Sequence, residues 1–167
     1  MIETGRLILR QWRDGDVAPF AAMSADPEVM RHLNGVIDAD AAAAVVERQR
    51  GLIERHGHGF WAVERKADGE LIGFCGVRLG GHPDTPVGEE LEIGWRLRRD
   101  AWGQGFAKEA AAASLAWGWA HLPHPRIAAW TVNANEASWG LMLRLGMEHR
   151  PELDFDQIGR ASCRERV

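Results

Sequence analysis

The chain has 167 residues, the length of one domain, which leaves no room for a second catalytic module. Hydrophobic residues at 46% and charged residues at 26% are ordinary globular usage and exclude wholesale disorder, while a net charge of −4 argues against a nucleic-acid binder, whose surface is basic. There is no apolar run of about 18 residues to span a membrane and no basic start to an apolar export signal, and two cysteines, Cys75 and Cys163, are too few for a disulfide framework, so the chain reads as cytoplasmic.

Arg6 to Trp12 reads as a strand, with Leu7 and Leu9 on one face. Asp14-Gly15-Asp16 opens a short helix, Val17 to Ser24, and Pro27 opens another through Leu33. Asp38 caps a longer helix from Ala39 to His56, which Gly57 ends. Phe60 to Lys66 and Leu71 to Leu79 are strands joined by a hairpin turn at Asp68-Gly69. Gly80 to Gly88, rich in glycine and proline, is a loop. Leu91 to Arg98 alternates, with Leu91, Ile93, Trp95 and Leu97 facing one way and Glu92, Gly94 and Arg96 the other. Ala107 to His121 is a helix with Ala111, Leu115 and Leu122 on one stripe, Arg126 to Val132 a strand, and Glu136 to Leu145 a helix stopped by Gly146. Met147 to Phe155 has the pattern of a strand cut short. Three consecutive strands before the Ala107 helix favour a mixed sheet in an α/β domain over a wholly parallel one.

The segment Ile158 to Val167 continues no apolar pattern and resembles the translation of a sequencing adapter. It is set aside as a non-native tail, which leaves residues 1–157 as a single domain.

The chemistry sits in LEIGWRLRRDAWGQGFAKEAA. A strand ends near Arg98, glycines follow at positions 103 and 105, and a helix begins near Ala107. Free N–H groups and the helix dipole favour an anion at such a helix start, which makes the loop either a pyrophosphate cradle or a plain tight turn. It is neither a Walker A loop nor the dinucleotide fingerprint.

Three stretches together resemble the GNAT N-acetyltransferase superfamily, and within it the RimJ/RimL-type branch. They are Thr4-Gly5-Arg6-Leu7-Ile8-Leu9-Arg10, then Trp102-Gly103-Gln104-Gly105-Phe106-Ala107, then Asn135-Glu136-Ala137-Ser138 followed by Leu143-Arg144-Leu145-Gly146-Met147. The resemblance implies a mixed, mostly antiparallel central sheet flanked by helices. That family ends its sheet with a strand beyond Phe155, so without the tail the sheet would lack its last strand. It also implies an acetyl-CoA site, with contacts from the loop residues Trp102, Gly103, Gln104, Gly105, Phe106 and Ala107. Backbone bonds to pantetheine would come from Trp95, Arg96 and Leu97. Asn135 matches an asparagine that touches the cofactor, and it is equally suited to capping the next helix. Trp102 stands where the wider superfamily has Gln or Arg, and it fits the branch.

Acyl transfer from a thioester to an amine needs a neutral amine, an oxyanion stabiliser and a proton for the departing thiolate. Glu92, on the strand leading to the loop, is the candidate base; the alternative is an exposed strand glutamate. Glu89 and Glu90 beside the loop are candidates for attracting a cationic substrate. The superfamily often uses a tyrosine as acid, and this chain has none. Ser138 matches a serine that the branch places near the sulfur, where a neutral hydroxyl orients or relays rather than donates; it could equally be bonded to its own helix backbone.

Seven histidines show no metal-ligand spacing, so no metal is expected. Cys75, in an apolar strand, reads as a buried hydrophobe. Trp117 and Trp119 read as packing residues, while Trp12, Trp61 and Trp95 could wall an acceptor pocket. The function these features support is acetyl-CoA-dependent transfer to a primary amine, either a protein N-terminus or a small amine, by direct attack in a ternary complex. Partners are then an amine substrate, with neither nucleic acid nor membrane, in a monomer or homodimer. The alternatives are a non-catalytic acyl-CoA sensor of the same fold and a nucleotide phosphate binder that shares only the loop.

Overall fold

The computed structural model describes residues 1–80 and 90–155, and the backbone of residues 163–166. The strands are β1 (Ile2–Glu3), β2 (Leu7–Arg10), β3 (Phe60–Arg65), β4 (Glu70–Gly80), β5 (Glu90–Leu97), β6 (Ile127–Val132) and β7 (Cys163–Arg166). The α-helices are α1 (Val17–Ser24), α2 (Pro27–Met30), α3 (Ala39–His56), α4 (Phe106–His121) and α5 (Glu136–Arg144). The strands form one sheet in the order β1 to β7. Every neighbouring pair is antiparallel except β5 and β6. This is the mixed, mostly antiparallel sheet that the sequence implies.

Local signals set the helix bounds. Asp38 accepts from the Ala41 N–H to start α3, and Gly57 ends it in the left-handed region. Ala42, Val46, Gln49 and Ile53, spaced as one helical stripe, are its buried face. In α4 the buried stripe is Phe106, Ala110, Ala111, Ser114 and Gly118; Leu115 is only partly covered.

The two sides of the sheet are covered differently. Cys75, Val77, Ile93 and Ile127 lie beneath α4, where the Cys75 and Ser114 side chains meet at 3.7 Å and Trp61 packs edge-on against Trp117. The opposite side carries Phe60, Phe74, Arg78, Glu92, Gly94 and Arg96 beneath the first helices. There Phe74 stacks on Phe60 and reaches Phe20 of α1.

Four expectations change. The first strand is shorter than Arg6–Trp12: it pairs over Leu7–Arg10, after which the Gln11 side chain takes the Trp12 N–H and a 3-10 turn follows at Asp14–Asp16. The helix from Pro27 ends at Met30. Met147–Phe155 is not a regular strand: Pro151, with its fixed φ and no N–H, opens a 3-10 turn over Pro151–Leu153, and Phe155 packs on Trp130 and Val132. The sheet does not lack its last strand, because residues 163–166, within the segment set aside, pair antiparallel with Ala129–Val132 of β6. The reading of 158–167 as non-native therefore finds no support in the fold. The expected Gly80–Gly88 loop lies, beyond Gly80, outside the described residues, as does Glu89.

Candidate active site

β5 and β6 share only two rungs, Leu91↔Ile127 and Glu92↔Ala128. β5 then runs on to Leu97 beside β4, and β6 runs on to Val132 beside β7. The two strands therefore part, and the edges facing each other beyond Glu92 have no ladder between them. The Arg98 N–H donates to Ile72 on β4, so by the two-residue alternation Arg96 and Gly94 also turn their backbone groups to β4. Ile93, Trp95 and Leu97 turn theirs to the opening. Of the three residues expected to bond pantetheine by backbone, Trp95 and Leu97 thus face the gap. Arg96 does not, and the Leu97 carbonyl is already bonded by the Trp102 indole N–H at 2.9 Å.

The loop 102–105 and the start of α4 lie at the end of β5. Gly103 and Gly105 have φ of 72° and 80°, in the left-handed region that favours glycine. Gly105 is the N-cap of α4 and offers no side chain to the first-turn N–H groups. Those donors are left for a ligand or water. The loop is held from behind. Gln104 donates to the Asp100 carbonyl at 2.7 Å, and the Gln104 carbonyl accepts from Arg6 Nη1 at 2.9 Å. Arg6 lies over the Phe106 ring and is paired with Glu109, which also accepts from the Thr4 hydroxyl and the Arg6 N–H. Burial alone would raise the Glu109 pKa, but these donors outweigh it and hold the carboxyl below its usual range. Trp102 is exposed, and Ala107 is half-buried in the first turn.

Asn135 and Ser138 stand at the end of β6, on the other arm of the opening. Asn135 is the N-cap of α5: its Oδ1 accepts from the Ser138 N–H at 3.3 Å, and its Nδ2 donates to Thr131 at 3.0 Å. The Ser138 hydroxyl makes no hydrogen bond among the described residues, so the backbone-bonded alternative is not the one seen.

Glu92 lies at the closed end of the gap, on the side beneath the first helices. It is not an exposed strand residue. Its Oε2 is held by Arg78 Nε at 2.8 Å and Nη2 at 2.7 Å. Glu90 is buried and bonded to Arg126, which holds its carboxyl below the usual range; it is not free to attract a cationic substrate. Burial pushes the Cys75 thiol up to about 12, against the Ser114 contact, so it is no nucleophile. Trp12 and Trp61 are core residues, and Trp119 is exposed rather than packed.

Sequence reasoning did not find Thr4, Arg6 and Glu109 as the brace of the loop, nor Arg78 as the partner of Glu92. Arg6 was visible inside the first resembling stretch, but nothing local points to a partner 103 residues away. Among the described residues no cluster of His, Cys, Asp and Glu could hold a metal ion, and no helix is long and apolar enough to cross a membrane.

Comparison with known proteins adds identity to this geometry. Residues 6–148 match the family model of the acetyltransferase (GNAT) domain. The chain is 31% identical over 150 residues to the uncharacterized N-acetyltransferase YoaA of Bacillus subtilis, covering 89% of this chain and 82% of that one. It superposes on an acetyltransferase of Agrobacterium tumefaciens with a TM-score of 0.83 and 26% identity, covering 99% and 92% of the two chains. RimL, the ribosomal L7/L12 alpha-N-protein acetyltransferase in complex with coenzyme A, has a TM-score of 0.78 at 14% identity over 98% and 93% of the two chains; at that identity the likeness shows the fold alone and does not fix the branch. With the family model spanning most of its length, the chain belongs to the GNAT family and is an acetyltransferase.

Proposed function

We propose that the protein is an acetyl-CoA-dependent N-acetyltransferase that acts on a primary amine by direct attack in a ternary complex. The observation that carries this is the gap between β5 and β6, with the uncapped start of α4 at its end. The residues fit the cofactor: a left-handed Gly105 with first-turn N–H groups unclaimed by any cap side chain suits a pyrophosphate. The open Trp95 edge suits the amides of pantetheine, and RimL, which shares the fold, is in complex with coenzyme A. The bound cosubstrate supplies an activated acetyl thioester.

The chain's own residues do the rest. The loop and the start of α4 hold the anion, and Arg6 keeps the loop in shape. Glu92, oriented by Arg78, is the proton acceptor in this reading and would work directly or through water. Ser138, with its hydroxyl unengaged among the described residues, orients or relays, and Asn135 fixes the first turn that carries it. The RimJ/RimL-type stretches put protein N-terminal amines beside small amines as acceptors to try. The buried thiol of Cys75 suits a reducing compartment such as the cytoplasm.

The test is a calorimetric titration with acetyl-CoA. Binding is expected, and Gly105→Val should weaken it at least tenfold, because a β-branched residue at this φ costs about 1–3 kcal/mol and reshapes the loop. Turnover of an amine, falling about 100-fold or more in Glu92→Gln, would separate an enzyme from a sensor. No binding by a folded chain would overturn the proposal.

A further inference from the structure

Arg96 is the strongest feature that the proposed function leaves without a task. Its side chain lies on the side of β5 beneath the first helices, in the stretch where β6 has departed. The guanidinium stands 5.2 Å from the centre of the Phe74 ring, itself stacked on Phe60. The Phe60 ring closes the strand surface next to it, since a Cβ added to Gly94 would come within 2.6 Å of that ring. Arg96 Nε is sealed from water and has no hydrogen-bond acceptor. No carboxylate or carbonyl among the described residues takes a bond from this side chain.

A partly buried cation without a counter-ion is costly, and desolvation lowers the Arg96 pKa to about 10, which leaves it charged at neutral pH. The nearest carboxylate along this face belongs to Glu92, four positions back on the strand. At the rise of a strand that is about 13 Å between Cα atoms, and Arg78 already engages it. The aromatic face of Phe74 gives Arg96 partial compensation, while the Phe60 ring lies under Arg78. A planar guanidinium held this way presents a fork that matches a carboxylate.

We infer that the acceptor of this acetyltransferase carries a carboxylate near its amine, and that Arg96 binds that carboxylate on the acceptor side of the gap. The inference rests on the proposed function above. Arg96 would act as a specificity residue. A free amino acid and an acidic peptide N-terminus share this chemistry, and matched probes separate them.

The experiment follows thiol release from acetyl-CoA with paired acceptors: free amino acids against their amides, and Asp- or Glu-containing short peptides against their Asn or Gln counterparts. The acid of at least one pair should exceed its neutral partner about tenfold or more in kcat/KM, the scale of one charged hydrogen bond. Preference within the amino-acid pairs identifies a small acceptor, and preference within the peptide pairs a polypeptide one. Arg96→Gln should bring the ratio toward one, and Arg96→Lys should keep part of it, while the acetyl-CoA Kd moves less than the ratio. The acid-to-neutral ratio of the unaltered protein is decisive even if a variant fails to fold. Acetyl-CoA binding with no acid favoured in any pair, or with no pair turned over, overturns this inference and leaves the cofactor reading standing. Failure to bind acetyl-CoA overturns both.

Discussion

Two arginines of the sheet, Arg10 buried on β2 and Arg96 partly buried on β5, have surroundings that differ in kind. Arg10 is 6% exposed and closed in by acids: two bonds to Asp16, at 2.7 and 3.0 Å, and one to Glu64, at 2.6 Å. Burial alone would lower its pKa, but the two carboxylates outweigh that and raise it. Arg96 meets the Phe74 face and no acid, and its pKa moves the other way, down to about 10. One region answers its own charge and is finished on folding. The other leaves its charge to something outside the chain, at the place where two strands part. Burial alone does not separate a structural arginine from a binding one; the partner inventory does.

The comparison can be broken most directly at Asp16. Asp16→Ala leaves Arg10 with Glu64 alone and also removes the acceptor of the Arg13 N–H. Denaturant melts should show a loss toward the lower end of the roughly 3–5 kcal/mol typical of half a buried pair. A loss below about 1 kcal/mol would mean that the Arg10 region is not closed as described.

A smaller effect is expected behind the loop. Glu109 is held below its ordinary 4.5, so its contribution is full above that value and fades as pH falls through the lower folded value. Glu109→Gln should therefore lower stability by about 1–2 kcal/mol at pH 7, discounted for the half-exposed Arg6. The gap to the unaltered protein should narrow below pH 4.5. A constant gap across that range, in thermal midpoints, would assign the loss to packing instead.

The smallest effect sharpens the contrast. Arg96→Met removes an unpaired, partly buried charge and a ring contact, two terms of opposite sign. Its melting midpoint should stay within about 1 kcal/mol of the parent or rise. A loss as large as that of Asp16→Ala would make Arg96 a structural residue.

What was legible in the sequence follows the range of the forces involved. The ends of α1 and α3 are set within a few residues, by Asp38 and Gly57 for example, and they fall where the sequence puts them. The strand, glycine loop and helix from Leu91 to His121 are likewise local and were readable. The two-rung contact of β5 with β6 is not, because register between distant strands depends on everything packed around them. The Arg78–Glu92 pair depends on a register of the same kind. Arg96 was readable as a strand residue, but its backbone direction and its lack of a partner emerge only in three dimensions. β7 was missed because a segment without apolar alternation carries no strand signal, although an open edge on β6 accepts its backbone.

The brace behind the loop also has a consequence for how the protein is made. Thr4 and Arg6 leave the ribosome about a hundred residues before Glu109, and the bonds that shape the loop join these segments. Contacts of such sequence separation form late, after the chain between them has been laid down. The loop therefore takes its final shape only when the first strand has met the nascent α4. A growing chain has the strands between these segments in hand before the loop is braced and has a place for a cofactor.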